Sequence, residues 1–295
     1  MEYLDHIHNS LKDNNEIVII ERYASKAKRY TIILIRFFHI SIQIWSNFYN
    51  AVSVNGSHRH HLQILTEYFI DQQRYFYLLL LHINSAFYIG IFALVATGTM
   101  LISYLQYACG MFRIASYRIE NAMKIQISQN IILQNISLPH KRIICAVDIQ
   151  RKAMMFSEYL ISQFEISFML LIVVGVLTLS LNIFRVFQII TSKFVNFEEL
   201  SIPFVSSISC LVYMFLSNYV GQEITDHHNH VFNTTYKIQW YLAPLQIQKL
   251  ILFLMQRSNK SFGLNVGGLF VASLECFATL ANTSISYFVV IYSTR

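Results

Sequence analysis

Four stretches of the chain carry no Asp, Glu, Lys or Arg: 37–58, 75–112, 166–184 and 200–222. Each is rich in Ile, Leu, Val and Phe without strand-like alternation. A helix needs about 20 mostly apolar residues to cross a hydrocarbon core of about 30 Å. Extended over their apolar flanks, and with the C-terminal run added, they predict five helical spans, at about 30–54, 76–108, 166–190, 203–221 and 267–292. A membrane barrel would instead show short alternating segments of about ten residues. The link between the third and fourth spans ends at Pro203, which suits the first turn of a helix, where the missing N–H is not needed.

The polar segments have their own pattern. Met111–Glu120 and Ala146–Met154 place apolar residues every three or four positions, so the second and third spans extend beyond the membrane as helices that meet near Pro139. Residues 236–257 predict one further amphipathic helix, too short in its apolar core to cross. It packs against those extensions or against another subunit; lying flat on the membrane is the competing account. Gly263, Gly267 and Gly268 break the chain before the last span.

Composition agrees. Apolar residues make up 55% and charged residues 13% of 295, against about 25% charged in soluble domains. The net charge of +6 comes from basic residues flanking the apolar runs, so it reports membrane topology and not a nucleic-acid partner. Of the 22 Lys and Arg, 16 fall in segments 1–29, 109–165 and 222–266 and 5 in the alternate set. That bias predicts a cytoplasmic N-terminus and an extracellular C-terminus. The remaining one, Arg36, lies within the first span, close enough to its inner end to snorkel to the headgroups. No cleavable leader pattern opens the chain.

Candidate chemistry is sparse. Cys109, Cys145, Cys210 and Cys276 all fall outside the predicted external loops, so no external disulfide is expected. Of five N-x-S/T sequons, Asn55 alone is external, and Asn135, Asn233, Asn259 and Asn282 are read as unused. The clusters at His58, His60 and His61 and at Asp226, His227, His228 and His230 have no metal-site spacing and are read as polar loop or helix-end residues. No nucleotide, hydrolase or metalloprotease motif occurs, so neither an enzyme nor a cofactor or metal is expected.

Two groups of residues remain. In the last span Glu275, Thr279, Asn282, Ser286, Val290 and Ser293 repeat at three and four, forming one polar face. Such a stripe serves either helix–helix hydrogen bonding or a water-lined path; the isolated carboxylate of Glu275 leans toward the second. Trp45, Phe48, Tyr49, Ile83, Phe87 and Tyr213 cluster in the outer span halves, as a contact surface for a small apolar ligand or as an interfacial aromatic belt.

The stretches Gly98–Phe112, Tyr219–His227 and Pro244–Arg257, followed by Gly268-Leu269-Phe270 and Thr283–Phe288, resemble insect odorant receptors in their hymenopteran form, from about residue 16 onward. The resemblance implies an all-α, multi-pass helical bundle in the plasma membrane, one domain over 1–295, with 109–165 and 222–262 as a cytoplasmic anchor. It implies an odorant-gated, non-selective cation channel that binds small volatile molecules and assembles with the olfactory co-receptor as a hetero-tetramer. The last span would line the pore, with Val290 at the hydrophobic constriction and Ser293 and Thr294 beyond it. Family members have seven spans, so five here imply either a fragment lacking the first two, upstream of Met1, or a degenerate receptor. A non-functional truncated chain, and a receptor acting through a cytoplasmic transducer without its own pore, are the alternatives.

Overall fold

The computed structural model describes residues 13–54, 75–129, 137–192, 197–259 and 262–294. Four long helices come first: α1 (Asn14–Val54), α2 (Phe76–Gln129), α3 (Ser137–Thr191) and α4 (Phe197–Lys237). A 3-10 turn at Trp240–Leu242 leads to α5 (Leu245–Ser258). A hairpin of β1 (Asn265–Val266) and β2 (Phe270–Val271) precedes α6 (Leu274–Ser293). Among the described residues, α2, α3, α4 and α6 are each long and apolar enough to cross a membrane.

The apolar side chains sort by height. Call the lower end the one where α2 and α3 continue past their uncharged runs. There Ala108, Cys109, Met111, Phe112, Ile114, Ala115 and Ile119 of α2 are fully buried against Ala146, Ile149 and Ala153 of α3 and Val220, Ile224 and Val231 of α4. Ile247 and Ile251 of α5 close a second cluster with Ala122, Met123 and Ile143. Higher up the pattern inverts. Leu81, Ile89, Phe92, Ile166, Leu170, Val173 and Leu177 are all at least half exposed. Surface of that kind demands an apolar surrounding, and the helices carrying it are long and apolar enough to cross a bilayer.

Three sequence expectations are corrected. Residues 236–257 are not one helix: α4 runs on to Lys237, and the chain turns at Trp240–Leu242 before restarting at Leu245. Pro244, extended at φ −56° and ψ 148°, sets that restart, since its ring cannot continue a preceding helix. Pro203 lies inside α4, not in its first turn, because the helix begins at Phe197. The extra turn places Glu199 near the helix N-terminus, where the backbone dipole favours a carboxylate. Finally, the last helix begins at Leu274, not near 267, and a hairpin takes up the glycines. Gly267 and Gly268 have φ of 64° and 68°, the left-handed pair at the centre of the turn that Leu269 N closes onto Val266 O at 3.3 Å, within a three-residue connection. A side chain at Gly267 would also meet the Met169 sulfur at 2.8 Å.

Candidate functional site

Two of the cavities among the described residues lie at different heights in the apolar part of the helix bundle. The upper one, about 190 Å³, is bounded by α1, α2 and α4 through Phe38, Ser41, Asn84, Phe87, Tyr88 and Ser209, among others. Its aromatic and aliphatic walls carry a few hydroxyls and one amide, the make-up of a small-molecule pocket. Three of those polar groups have partners: Ser41 Oγ and Ser209 Oγ lie 3.3 Å apart, and the Ser206 hydroxyl accepts from Asn182 Nδ2 at 3.0 Å. The lower cavity, about 120 Å³, lies where α1 to α4, the hairpin and α6 converge, and Gly98, Leu101, Tyr213, Cys276 and Leu280 are in its wall.

The sequence-predicted ligand residues divide between these places. Phe87 lines the upper cavity. Tyr213 lines the lower one. Ile83 is buried, 6% exposed, and lines neither. Trp45, Phe48 and Tyr49 fall on the last turns of α1, and their side chains lie outside the described residues, as does all of Asn55 and the first histidine cluster.

The last helix shows a clear division of faces. Leu280 and Ser284 are its buried residues. Ser180 Oγ of α3 donates to the Ser284 carbonyl at 3.0 Å, and Phe277 meets Phe215 of α4 edge-on. Higher up, Phe288 and Tyr292 contact Phe187 of α3. Glu275, Thr279, Asn282, Ser286, Val290, Ser293 and Thr294 are all exposed. At 100° per residue the Glu275–Ser293 stripe falls about half a turn away from Ser284. Among the described residues its hydroxyls bond back to their own helix: Thr279 to Glu275 O, Ser286 to Asn282 O and Ser293 to Val290 O. Val289 is exposed as well, at 53% against 55% for Val290.

The foot of this helix is tied down. Ser273 caps it by accepting from Cys276 N at 3.1 Å, and Ser273 N donates to Asn218 Oδ1 of α4 at 3.3 Å. Gly221 of α4 lets the backbone at Ala272 approach so closely that a Cβ there would lie 2.4 Å from the Ala272 Cβ.

A polar cluster that the sequence pattern did not expose lies just below. Glu223, 7% exposed, receives Lys26 Nζ on one carboxylate oxygen and Gln106 Nε2 on the other. Tyr30 Oη adds a longer contact of 3.4 Å. Gln106 is fully buried, and its Oε1 meets no partner among the described residues. One turn on, His227 Nδ1 donates to the Glu223 carbonyl at 2.7 Å, which leaves Nε2 to accept from Tyr23 Oη at 2.6 Å. Burial holds His227 below its usual range and pushes the Tyr23 hydroxyl up to about 12. Both shifts keep this pair neutral. The cluster joins α1, α2 and α4 through residues more than a hundred positions apart, and its signal in the sequence is a lone Gln106 in an uncharged run and the Glu223/His227 spacing of four. Farther down, Arg118 grips Glu16 through two hydrogen bonds of 2.6 and 2.8 Å. Among the described residues no three His, Cys, Asp or Glu side chains gather as a metal site would need.

Against known proteins, the family model described as 7tm Odorant receptor matches residues 1–285. The fold is similar to the solved insect olfactory receptor OR5 from Machilis hrabei in complex with eugenol, with a TM-score of 0.76, 13% identity, 95% of this chain covered and 69% of that one. It is also similar to a structure of the same receptor described without a ligand, with a TM-score of 0.69 at 14% identity and the same coverage of both chains. No curated protein matches the sequence.

Proposed function

The chain belongs to the odorant receptor family, and from that premise we propose that it is the odorant-sensing subunit of a ligand-gated, non-selective cation channel. It is a membrane receptor and not an enzyme. Its apolar stretches at 30–54, 76–108, 166–190 and 203–221 and helix α6 cross the plasma membrane. The N-terminus is cytoplasmic and the C-terminus extracellular, as the basic residues favour. Residues 109–165 and 222–262 form the cytoplasmic anchor within a single receptor domain. The partner is the olfactory co-receptor, in a hetero-tetramer.

One observation carries this reading. The polar face of α6 points away from the other described elements of its chain, and an array of carboxylate, amide and hydroxyl groups is not left facing lipid. Shared with the last helices of other subunits it lines a wet path, and Val290 supplies the narrow apolar ring that closes by dewetting. Odorants enter the upper cavity, where Phe87 gives aromatic surface and Ser41, Asn84 and Ser209 accept or donate one hydrogen bond. The eugenol in the solved relative is a ligand of suitable size and polarity for such a site. Trp45, Phe48 and Tyr49 are kept as odorant contacts on the sequence pattern alone.

The test is co-expression with the co-receptor and current recording during odorant application. Val290→Ser raises basal current or alters ion permeation while Val289→Ser does not. Equal effects from both, or none from either, remove α6 from the pore lining.

A further inference from the structure

We propose that the lower cavity is a second ligand site, separate from the odorant pocket, for a small cyclic or branched hydrocarbon skeleton bearing one hydrogen-bond acceptor, such as a six-carbon ring ketone. Its volume of about 120 Å³ is near that of an apolar protein cavity of about 150 Å³ that stays dry and binds benzene. The lining is Leu, Ile, Val and Phe apart from a few groups, and nearly all of those are already engaged. Asn218 donates to Met214 O at 2.9 Å and accepts from Ser273 N, and Ser217 Oγ donates to Met214 O at 3.0 Å. A water held here would need two to four polar partners, and most of the polar groups in this wall are engaged. Tyr213 Oη is a strong donor in the wall with no hydrogen-bond partner among the described residues. Gly98 leaves room beside that ring, since a Cβ there would stand 3.7 Å from it.

The occupant differs from an odorant in what it touches. The upper cavity contains no residue of the hairpin or of α6. The lower one is walled by Val266 and Phe270 of the hairpin and by Cys276 and Leu280 of α6. A molecule there bears directly on the foot of the last helix, whatever occupies the upper site.

The experiment uses the full chain, purified with its co-receptor partner in lipid nanodiscs, and the diazirine of cyclohexane as photoprobe. Mass spectrometry maps the cross-links. Labelling of Tyr213, Cys276 or Leu280 that cyclohexanone competes to saturation is the expected result. It falls at least fivefold in Leu101→Phe and in Leu171→Phe, which fill the cavity from different helices, each measured on the monodisperse fraction. Ser209→Phe fills the upper cavity and leaves this labelling in place, so failure of the odorant pocket and failure of this site are told apart. Tyr213→Phe weakens competition by cyclohexanone about tenfold and leaves that by methylcyclohexane unchanged. Labelling that does not saturate, which marks a lipid-filled crevice, overturns the proposal. So does labelling that survives both filling variants or vanishes in Ser209→Phe.

Discussion

Gly221→Ala puts one methyl group where α4 touches the chain entering α6. The new Cβ would lie 2.4 Å from the Ala272 Cβ, 2.6 Å from its carbonyl oxygen and 3.0 Å from its carbonyl carbon. Ordinary contact begins near 3.4 Å, so this backbone has to withdraw by about 1 Å, because no flexible side-chain end can yield instead. Three bonds resist: Ala272 N to Leu264 O at 2.9 Å, Ser273 N to Asn218 Oδ1 at 3.3 Å, and the Ser273 cap on Cys276 N at 3.1 Å. Overpacking costs about 1–3 kcal/mol, with rigid backbone at the upper end, and weakening one such bond adds about 1 kcal/mol. Replacing a helical glycine by alanine returns about 1 kcal/mol. The net loss is about 2–3 kcal/mol. Gly90→Ala is the control: nothing lies within 4 Å of a Cβ there, so it keeps only the helix-propensity gain. Thermal unfolding of the purified variants in one detergent measures both. If Gly221→Ala is as stable as the parent, or matches Gly90→Ala, the close approach at Ala272 is not a feature of the folded receptor.

Glu16→Ala leaves the largely buried Arg118 guanidinium without its bidentate partner and lowers stability by about 3 kcal/mol; Glu16→Leu with Arg118→Met recovers most of it, which unfolding of the single and double variants measures. His227 is held neutral with its pKa below 6.5, chiefly by burial, so protons bind the unfolded chain first as pH drops and stability declines from about pH 6.5 downward. His227→Gln flattens that limb of a stability–pH curve, and an unchanged slope sinks the assignment. Asn55 alone takes up glycan in microsomes, seen as an endoglycosidase-sensitive mass shift that Asn55→Gln removes; a glycan on Asn233 inverts the topology.

What the sequence discloses is whatever repeats within one helix. The uncharged runs predicted α2, α3 and α4, because burying or wetting a charge there is costly whatever packs nearby. The α6 stripe was legible for the same reason, its period being internal. The hairpin was not: strands of two residues have no periodicity, and Gly267-Gly268 mark only a break. The turn at Trp240–Pro244 was hidden by apolar residues that keep a helical spacing on both sides of it, although Pro244 marks the place. Glu223 does not stand out in the sequence as Glu275 does, because its partners, Lys26 and Gln106, stand 197 and 117 residues away. The division of Phe87 and Tyr213 between two cavities was equally out of reach, since it depends on how four helices cross.

Under the proposed function, that division constrains how an odorant acts on α6. The upper cavity is walled by α1, α2 and α4 and contains no residue of α6. An odorant there therefore reaches α6 only through other helices. One route is along α3: the cavity's Ser206 holds Asn182 at 3.0 Å, and Ser180, two residues away, holds the Ser284 carbonyl of α6 at 3.0 Å. The other is down α4, from Ser209 in the cavity wall to Phe215 against Phe277. Both end on the buried face of α6, opposite the polar stripe. On that reading a shift of either helix moves the stripe about a foot anchored at Ser273, and Phe288 and Tyr292 couple its far end to Phe187 of α3. The constriction proposed at Val290 sits at that far end, where a shift of α3 acts with the longest arm from the foot; one near Glu275, beside the anchored foot, would move least.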